Sequence, residues 1–341
     1  MKLEKSYTVS HYISDFLKFH GVNNVFELSG GMIAFLTDAI ANHGAINVIS
    51  NKHEQAAGFA AEGSSRVEMK PGVALATSGP GATNLITAIA SCFFDSSPVL
   101  FITGQVNQLE IRKNKKQRQN GFQELDIVSA VLDITKYAKQ IQTASEIPKV
   151  LEDAWNSTLE GRPGPALIDI PINIQQLEIE FFLPNSKKKY KKANSVLRTN
   201  YTKLYELLID SKKPLVIAGG GIRTSKTIKE FNDFIDKTNL PVVTTLMGTD
   251  TMSREKRNLV GFIGSYGNRW ANHALFQSDL VLALGSRLDV RQTGNSIEEF
   301  INGKKIVRVE IDKAELEGRI PADLAFHTNL SNFFMNFRTF I

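Results

Sequence analysis

The sequence contains one cysteine and no hydrophobic run long enough to cross a bilayer. A single cysteine excludes an intrachain disulfide and a zinc site built from cysteines. Cys92 lies in an apolar segment, which favours a buried thiol over a nucleophile. The first residues also lack the apolar segment of a signal peptide. From these absences we expect a reducing, cytoplasmic setting and no membrane partner.

Several catalytic signatures are missing as well. There is no G-x-S-x-G, no H-E-x-x-H and no Walker A lysine, and the six histidines show no metal-ligand spacing. We therefore predict no metal site within the chain. The net charge of +5 is mild and concentrates in two basic clusters, residues 112–118 and 187–192. Neither cluster is interleaved with aromatic residues that could stack on bases, so we predict a solvated loop, a solvated linker and no nucleic-acid partner.

Short apolar runs alternate with helix-length amphipathic segments along the whole chain. This alternation predicts an α/β fold, and the length of 341 residues predicts two doubly wound domains with mainly parallel sheets. The predicted strands are residues 25–28, 45–49, 72–77, 99–102, 166–170, 214–218, 241–245, 280–284 and 305–311, and the clearest predicted helices are residues 54–67 and 82–93.

The alternating pattern stops after Pro171. Residues 183–196, which include a Leu-Pro-Asn-Ser stretch and the lysine cluster, have the composition of an exposed linker. We therefore predict a first domain at residues 1–182, a linker at 183–196 and a second domain at 197–341.

Three glycine turns follow predicted strands, at residues 29–31, 78–84 and 219–221. A helix that begins after such a turn presents free amides and the positive end of its dipole to an anion. The second turn nearly matches G-x-G-x-x-G, but Asn84 replaces the last glycine and no acidic residue ends the next strand. A tight turn without a ligand is the alternative at each position, whereas three turns together favour a ligand-binding protein.

Further strand ends in the second half predict a pocket for an extended nucleotide. The forked donors of Arg287 and Arg291 suit a phosphate, and Asp289 and Glu310 could accept ribose hydroxyls. The competing interpretation of the two arginines is an internal ion pair with Asp289.

Glu54 stands at the start of a segment built of small residues, 54–63. A carboxylate that enters a sheet with such a segment is expected to lose solvent, which would let it hold or share a proton near neutral pH. The alternative is a helix-terminal charge favoured by the helix dipole, and the local sequence alone favours this alternative.

As an ordered set, these features resemble the acetolactate synthase family of thiamine-diphosphate (ThDP) enzymes. The matching stretches are residues 25–26 with 30–31, 53–57, 77–84, 122–124, 161–165 with 169–171, 219–221, 244–248, 285–291 and 310–312. The resemblance implies a first domain that binds the aminopyrimidine of ThDP and a central domain that carries FAD, ADP or nothing. It implies that Glu54 hydrogen-bonds the pyrimidine ring nitrogen, which promotes loss of the thiazolium proton.

The resemblance also implies the remaining site residues. The implied catalytic residues are Glu54, Gln123, Gly31 and Phe122. The implied cofactor-binding residues are Glu54, Pro80, Gly81 and Asn84 in the first domain, and Gly219, Gly220, Gly221, Thr245, Leu246, Met247, Gly264, Ser265, Gly285, Arg287, Asp289, Arg291, Glu310 and Ile311 in the second.

The implied reaction is decarboxylation of a 2-oxo acid and its ligation to a carbonyl acceptor by a homodimer or homotetramer. The family holds Mg²⁺ and the diphosphate with a third domain that contains Gly-Asp-Gly, a tripeptide that does not occur in this chain. We therefore expect a truncated chain or a split subunit, inactive alone, that binds ThDP weakly unless a separate subunit holds the diphosphate. The alternative function is a non-catalytic nucleotide-binding or regulatory protein, and a plain Rossmann oxidoreductase is disfavoured by Asn84.

The sequence departs from the family pattern near the substrate side. Ser29 stands where the family usually has proline, Gly121 replaces an alanine, and the loop at 107–121 is longer and more basic. These departures put pyruvate specificity in question. We hypothesise that the basic cluster at 112–118 suits an anionic acceptor, such as a phosphorylated or carboxylated sugar.

Overall fold

The computed structural model describes residues 7–114, 116–180 and 198–340. The chain divides into two compact units at residues 188 and 189, hereafter unit 1 and unit 2. Each unit contains a six-stranded sheet in which every strand pairing is parallel, with helices between the strands. The predicted α/β fold with two parallel-sheet domains is therefore confirmed. The predicted linker at 183–196 and its lysine cluster lie outside the described residues.

The sheet of unit 1 has the strand order β2-β1-β3-β4-β6-β5. Its strands are β1 (Asn24–Glu27), β2 (Asn47–Ser50), β3 (Gly72–Ala76), β4 (Val99–Gln105), β5 (Tyr137–Gln140) and β6 (Pro165–Pro171). Its helices are α1 (Val9–Phe19), α2 (Ala34–His43), α3 (Glu54–Glu68), α4 (Pro80–Asn84), α5 (Ile86–Asp95), α6 (Ile127–Val131), α7 (Ile147–Leu159) and α8 (Ile172–Gln175).

Both faces of this sheet are covered, because the central strands β3, β4 and β6 are buried at every residue. Phe16 of α1, Leu36 of α2 and Leu151 of α7 belong to the core on one face. Ala61 of α3 and Ile89 of α5 belong to the core on the other. Cys92 is also fully buried there, and burial raises the pKa of its thiol well above the ordinary value.

The sheet of unit 2 has the strand order β12-β11-β10-β7-β8-β9. Its strands are β7 (Pro214–Ala218), β8 (Val242–Thr244), β9 (Leu259–Phe262), β10 (Leu280–Leu284), β11 (Lys305–Glu310) and β12 (Leu324–His327). Its helices are α9 (Arg198–Asp210), α10 (Gly221–Thr224), α11 (Ile228–Thr238), α12 (Arg269–Gln277), α13 (Val290–Thr293), α14 (Ile297–Ile301), α15 (Lys313–Leu316) and α16 (Leu330–Phe340).

The core of unit 2 also lies on both faces of its sheet. Leu204 of α9, Phe234 of α11 and Phe333 of α16 pack on one face, and Leu275 of α12 and Phe300 of α14 pack on the other. None of the helices in the described part of the chain combines the length and the apolar character needed to cross a membrane.

Strand order fixes where each sheet can receive a ligand. In unit 1 the order reverses between β1 and β3, and in unit 2 it reverses between β7 and β10. An open parallel sheet leaves a crevice at such a reversal, outside the carboxyl ends of the strands. The glycine turns at 29–31 and 78–84 follow β1 and β3, and the turn at 219–221 follows β7. The predicted ligand-binding turns therefore lie beside the two crevices.

Two details differ from the predictions. The sequence did not indicate β5, β9 or β12, each of which is at an edge of its sheet. The helix predicted at 82–93 is two helices, α4 and α5, which meet at Leu85. Helix α4 begins at Pro80, whose fixed φ and missing amide proton suit the first turn of a helix.

Candidate functional site

The connections after β1 and β3 meet the end of β4 at the carboxyl edge of the unit 1 sheet. A Cβ added to Gly30 would lie 2.4 Å from Cβ of Thr77, so the loop after β1 touches the end of β3. A Cβ added to Gly104, on β4, would lie 1.9 Å from the carbonyl oxygen of Met32. The amide of Met32 also donates to Oγ1 of Thr77 at 3.2 Å. Glycine at positions 30 and 104 is therefore what allows these backbones to approach.

Glu54 is the first residue of α3 and is only 7% exposed. The preceding residue, His53, caps the helix, and its Nδ1 accepts the amide of Gln55 at 3.1 Å. Oε2 of Glu54 accepts a hydrogen bond from Nδ2 of Asn84 at 2.9 Å. A Cβ added to Gly81 would lie 3.2 Å from Oε1. The carboxylate is thus both at a helix N-terminus, as the alternative interpretation required, and buried against the loop after β3.

The loop after β4 brings Gln123 to the same place. Gln123 has a left-handed backbone with φ of +62°, and its carbonyl oxygen would lie 2.6 Å from a Cβ added to Gly79. Phe122 is 74% exposed, and space around Gly31 is open, because a Cβ added there would meet no atom within 4 Å. The structure therefore packs Gln123 on Gly79, which directly precedes the helix α4 that carries Pro80, Gly81 and Asn84, and leaves Phe122 and Gly31 accessible.

Ser78 is a polar group of this loop that is buried but unsatisfied. Its Oγ has no hydrogen-bond partner in the described part of the chain. A buried hydroxyl without a partner costs free energy, on the order of 1 to 3 kcal/mol. A polar ligand bound at the reversal of strand order could supply the missing hydrogen bond. Ser78 is thus a second residue, besides Glu54, that could contact such a ligand.

Asp169 anchors the loop of Gln123 from inside the sheet. Its carboxylate accepts hydrogen bonds from Oγ1 of Thr103 at 2.7 Å, Nε2 of Gln105 at 3.0 Å and Nε2 of Gln140 at 2.9 Å. Burial raises the pKa of Asp169. Nε2 of Gln105 also donates to the carbonyl oxygen of Leu125 at 2.7 Å. The buried aspartate therefore orients the glutamine that holds the loop after β4.

Sequence reasoning missed a second buried carboxylate at this edge. Glu27, the last residue of β1, is fully buried, and Oγ of Ser29 donates to its Oε2 at 3.0 Å. Oγ of Ser50, the last residue of β2, donates to Oε1. The amide of Asn51 donates to the carbonyl oxygen of Glu27 at 2.7 Å. The available signal was an acidic residue inside the apolar run Val25–Leu28.

One arginine of the basic loop after β4, Arg112, forms its contacts within that loop. Nη1 of Arg112 donates to the carbonyl oxygens of Gln117, at 3.3 Å, and Arg118, and Nε lies 3.6 Å from Oε1 of Glu124. Arg118 and the lysines at 113 and 116 are exposed, and Lys115 lies outside the described residues. Arg112 therefore stabilises the loop, and the hypothesis of an anionic acceptor depends on the other basic residues.

In unit 2, glycines let three connections meet at the reversal of strand order. A Cβ added to Gly219 would lie 2.1 Å from the carbonyl oxygen of Gly285, and one added to Gly221 would lie 2.7 Å from Cα of Gly285. A Cβ added to Gly220 would lie 3.1 Å from Cβ of Met247. Gly285 itself has φ of +60°. The turns after β7, β8 and β10 are thus packed backbone to backbone beside the crevice.

The charged residues predicted for this pocket are partly engaged with one another. Nε of Arg287 lies 3.7 Å from Oδ2 of Asp289, so the competing ion pair is present. Oδ1 of Asp289 accepts the amide of Arg291 at 2.9 Å, which caps α13. The guanidinium of Arg291 lies over the ring of Tyr266, 5.7 Å from its centroid. Both guanidinium groups remain exposed, whereas Asp289 is committed to its neighbours.

The remaining predicted positions of unit 2 differ in their accessibility. Oε1 of Glu310 accepts the amides of Ile311 at 2.9 Å and Asp312 at 3.2 Å. Thr245 is buried and Leu246 is exposed. Two further contacts are made at this edge. A Cβ added to Gly264 would lie 3.0 Å from the carbonyl oxygen of Arg291, which also accepts the amide of Ser265 at 3.0 Å.

Arg308, on β11, was not indicated by the sequence. Its guanidinium is fully buried and donates to the carbonyl oxygens of Glu315 at 2.7 Å, Ile320 at 2.9 Å and Arg287 at 3.2 Å. Burial lowers the pKa of Arg308. This arginine therefore holds the loop after β10 through its hydrogen bond to the carbonyl oxygen of Arg287.

Within residues 7–114, 116–180 and 198–340, no group of three or more His, Cys, Asp or Glu side chains is arranged to hold a metal ion.

Two family comparisons match these units. Residues 7–130 match the family described as thiamine pyrophosphate enzyme, N-terminal TPP binding domain. Residues 201–336 match the family described as thiamine pyrophosphate enzyme, central domain. The first match includes Glu54, Asn84 and Gln123, and the second includes the glycine turns of unit 2.

Curated relatives give the same result over nearly the whole chain. The chain is 37% identical over 336 residues to the acetolactate synthase large subunit of Lactococcus lactis subsp. lactis (strain IL1403), which covers 97% of this chain and 56% of that protein. It is 36% identical over 307 residues to the chloroplastic acetolactate synthase of Arabidopsis thaliana, which covers 88% of this chain and 44% of that protein.

The chain belongs to the acetolactate-synthase-like family of thiamine-diphosphate enzymes. A probable acetolactate synthase large subunit of Methanococcus aeolicus is 34% identical over 308 residues, which covers 89% of this chain and 50% of that protein. The chain thus spans about half the length of the acetolactate synthases that it matches.

Proposed function

We propose that unit 1 binds the aminopyrimidine of ThDP and that the chain acts in an acetolactate-synthase-like carboligase or 2-oxo-acid decarboxylase. The observation that carries this proposal is the buried carboxylate of Glu54, held by Asn84 at the reversal of strand order. When bound, ThDP supplies the carbon nucleophile that adds to a 2-oxo acid and stabilises the charge left by carbon dioxide.

The residues around Glu54 fit an aminopyrimidine. Asn84 donates to Oε2, and Oε1 of Glu54 has no hydrogen-bond partner in the described part of the chain. The free oxygen can hold a proton and donate it to a ring nitrogen, or accept one from it. Gly81 places no side chain next to Oε1, and the unsatisfied hydroxyl of Ser78 lies in the same loop. Pro80 and Asn84 would complete the cofactor contact.

The substrate side would be formed by Gly31, Phe122 and Gln123. Gly31 leaves open space after β1, and the exposed ring of Phe122 offers an apolar surface that excludes water from the reacting groups. Gln123 supplies an amide that can orient a carboxylate or a carbonyl oxygen. A 2-oxo acid and a carbonyl acceptor are the proposed small-molecule substrates.

The diphosphate and Mg²⁺ require oxygen ligands that the described residues do not group together. We propose that a separate diphosphate-binding domain or subunit supplies these ligands, within a homodimer or homotetramer. On this proposal residues 1–341 alone bind ThDP weakly and do not turn over.

Unit 2 is proposed to bind FAD or ADP. Its strand order reverses between β7 and β10, where the turns at 219–221 and 285–288 lie against each other. Arg287 and Arg291 would bind the phosphates. The same crevice favours a second candidate function, a non-catalytic nucleotide-binding or regulatory protein, in which Glu54 would have only a structural role.

The experiment is calorimetric titration of the 341-residue chain with thiamine and with ThDP plus Mg²⁺. We expect the two affinities to agree within about threefold, because only the aminopyrimidine is held by these residues. Glu54→Gln should weaken the binding of both thiamine and ThDP by about tenfold or more, because a charge-assisted hydrogen bond is lost. Glu68→Gln, a change of the same type on the same helix, is the matched control.

An unchanged affinity in Glu54→Gln would contradict the proposal. A Mg²⁺-dependent preference for ThDP above about tenfold would show that a diphosphate site lies within these residues. Binding of ADP without any binding of thiamine would favour the regulatory alternative.

A further inference from the structure

We infer that Ser29 and Ser50, held by the buried carboxylate of Glu27, form a subsite that binds a hydroxyl-bearing, uncharged carbonyl acceptor. The inference deepens the proposed function, because it names the class of the second substrate. It differs from the hypothesis of an anionic acceptor that the basic loop suggested.

The subsite lies at the carboxyl edge of two adjacent strands. Glu27 pairs directly with Ser50 in the register of β1 and β2, and Ser29 is two residues after Glu27. Gly30 and Gly31 follow Ser29, and Glu54 follows Ser50 by four residues. The three polar side chains therefore lie where the connections to Gly31 and Glu54 leave the ends of β1 and β2.

Both serines are exposed, whereas Glu27 is fully buried. Oγ of Ser29 donates to Oε2 of Glu27 at 3.0 Å, and Oγ of Ser50 donates to Oε1. No lysine, arginine or histidine of the described residues forms an ion pair with Glu27. The two hydroxyls thus lie between a buried negative charge and solvent.

The number of protons determines what these hydroxyls can bind. A serine hydroxyl has one proton and two lone pairs, and an ionised carboxylate only accepts. Because both serine protons point to Glu27, the two oxygens present only lone pairs to a ligand. They can accept from the O–H of a hydroxyl group, and they cannot donate to a carboxylate or phosphate.

Charge favours the same ligand. A carboxylate or phosphate at this subsite would face four lone pairs and the negative charge of Glu27 across a single layer of hydroxyls. An uncharged acceptor with a hydroxyl next to its carbonyl group would satisfy the serine oxygens without this repulsion. The subsite therefore selects hydroxyketones or hydroxyaldehydes over 2-oxo acids as acceptor.

Three small ketones test this selection because they share an acetyl group. Hydroxyacetone, 2-butanone and pyruvate differ only in a hydroxymethyl, an ethyl or a carboxylate group. Their binding to the full chain, without ThDP, can be followed by saturation-transfer NMR of the acetyl methyl resonance. We expect hydroxyacetone to bind about threefold to tenfold more tightly than 2-butanone, because one or two exposed hydrogen bonds contribute a difference of this size. We expect pyruvate to bind most weakly of the three.

The variants separate the subsite from other weak sites. Ser29→Ala together with Ser50→Ala should abolish the preference for hydroxyacetone, and Ser29→Ala alone, which leaves Glu27 a partner, should reduce it. Glu27→Gln donates an amide proton to one serine, whose own proton can then point outward, so pyruvate should gain affinity relative to hydroxyacetone. Ser145→Ala, at an exposed serine that also bonds a hydroxyl, is the control. Circular dichroism melts establish that each variant is folded.

Equal binding of the three ketones to the wild-type chain, or a preference that persists in the double variant, would overturn the inference. Its failure is separable from that of the proposed function, because thiamine binding through Glu54 is measured without ketones. If thiamine binding depends on Glu54 and the ketone preference is absent, only the subsite is wrong.

Discussion

Nδ2 of Asn84 donates to Oε2 of Glu54 at 2.9 Å, which connects the last residue of α4 to the first residue of α3. The two residues are thirty positions apart in sequence and lie in the connections that follow β2 and β3. The amide uses one oxygen of the carboxylate and leaves Oε1 for a ligand. This relationship explains why asparagine, rather than glycine, suits the last position of the turn.

We predict that Asn84→Asp weakens thiamine binding about tenfold and destabilises the fold by about 1 to 3 kcal/mol. The change keeps the shape of the side chain but replaces a donor with a second carboxylate, next to a buried one. Calorimetry and urea unfolding give the two quantities. Asn42→Asp is a matched control, because Nδ2 of Asn42 bonds Asp38 on an exposed helix surface where solvent screens the repulsion. Similar effects in both variants would contradict a special role of Asn84.

We predict that Gly219→Ala destabilises unit 2 by about 2 kcal/mol or more, because the new Cβ would meet the backbone of Gly285 at 2.1 Å. The other close contacts are with the carbonyl carbon of Gly285 at 2.6 Å and Cβ of Ser286 at 2.8 Å, and none of these atoms can rotate away. Trp270 lies in unit 2 and Trp155 in unit 1, so Trp155→Phe leaves one fluorophore that reports on unit 2. The melting temperature in that background is the measurement.

The control for this glycine is Gly63→Ala, measured in a Trp270→Phe background, because Trp155 then reports on unit 1, which contains Gly63. Gly63 is on α3, a Cβ there would meet no atom within 4 Å, and alanine has the higher helix propensity. We expect an unchanged or slightly raised melting temperature. Loss of stability in the control, or none in Gly219→Ala, would contradict the close approach of the two turns.

The buried Asp169 should make stability depend on pH in a defined direction. Its pKa is raised above 3.8 in the folded state because burial disfavours the charge. The folded state therefore binds the proton more tightly, and this contribution to stability is present below about pH 3.8 and is lost as pH rises through the folded pKa. Asp169→Asn removes the ionisation, and its amide can donate to Thr103 while its oxygen accepts from Gln105 and Gln140.

We therefore expect the unfolding free energy of Asp169→Asn, relative to wild type, to increase from pH 4 to pH 8. Urea unfolding across this range measures the difference directly. A difference that is constant with pH would show that Asp169 has an ordinary pKa in the folded protein. Asp153→Asn, which removes a carboxylate that is half-buried on α7 and pairs with Lys149, is the comparison variant.

The sequence predicted the parallel sheets well where strands are buried on both sides. β3, β4 and β10 are buried at every residue, so their apolar runs are continuous. β5 and β9 are half-buried at every residue, and β12 alternates between buried and exposed residues. These edge strands have no continuous apolar run, and their pairing is determined by the neighbouring strand rather than by their own composition.

The residues of the candidate site also divide into those that the sequence predicted and those that it did not. The glycine turns were evident because few residues other than glycine permit such backbone contacts, and the family resemblance supplied roles for Glu54 and Gln123. Glu27 and Arg308 were missed because each depends on partners outside its own segment. Ser50 is 23 residues from Glu27, and the carbonyl groups of Ile320 and Arg287 are 12 and 21 residues from Arg308. Contacts of this kind depend on strand register and loop path, which no local pattern specifies.

The position of Glu54 depends on how α3 packs on the sheet, and therefore on residues that do not contact the ligand. A Cβ added to Gly72, at the start of β3, would lie 2.0 Å from the carbonyl oxygen of Ala61, and one added to Gly58 would lie 2.5 Å from Cβ of Ala88. A substitution at either glycine would push the helix outward and carry Glu54 with it. Substitutions should therefore be poorly tolerated at these positions, although they touch neither cofactor nor substrate. A Gly72 variant that lost activity would have a displaced Glu54 and an otherwise unchanged set of catalytic side chains.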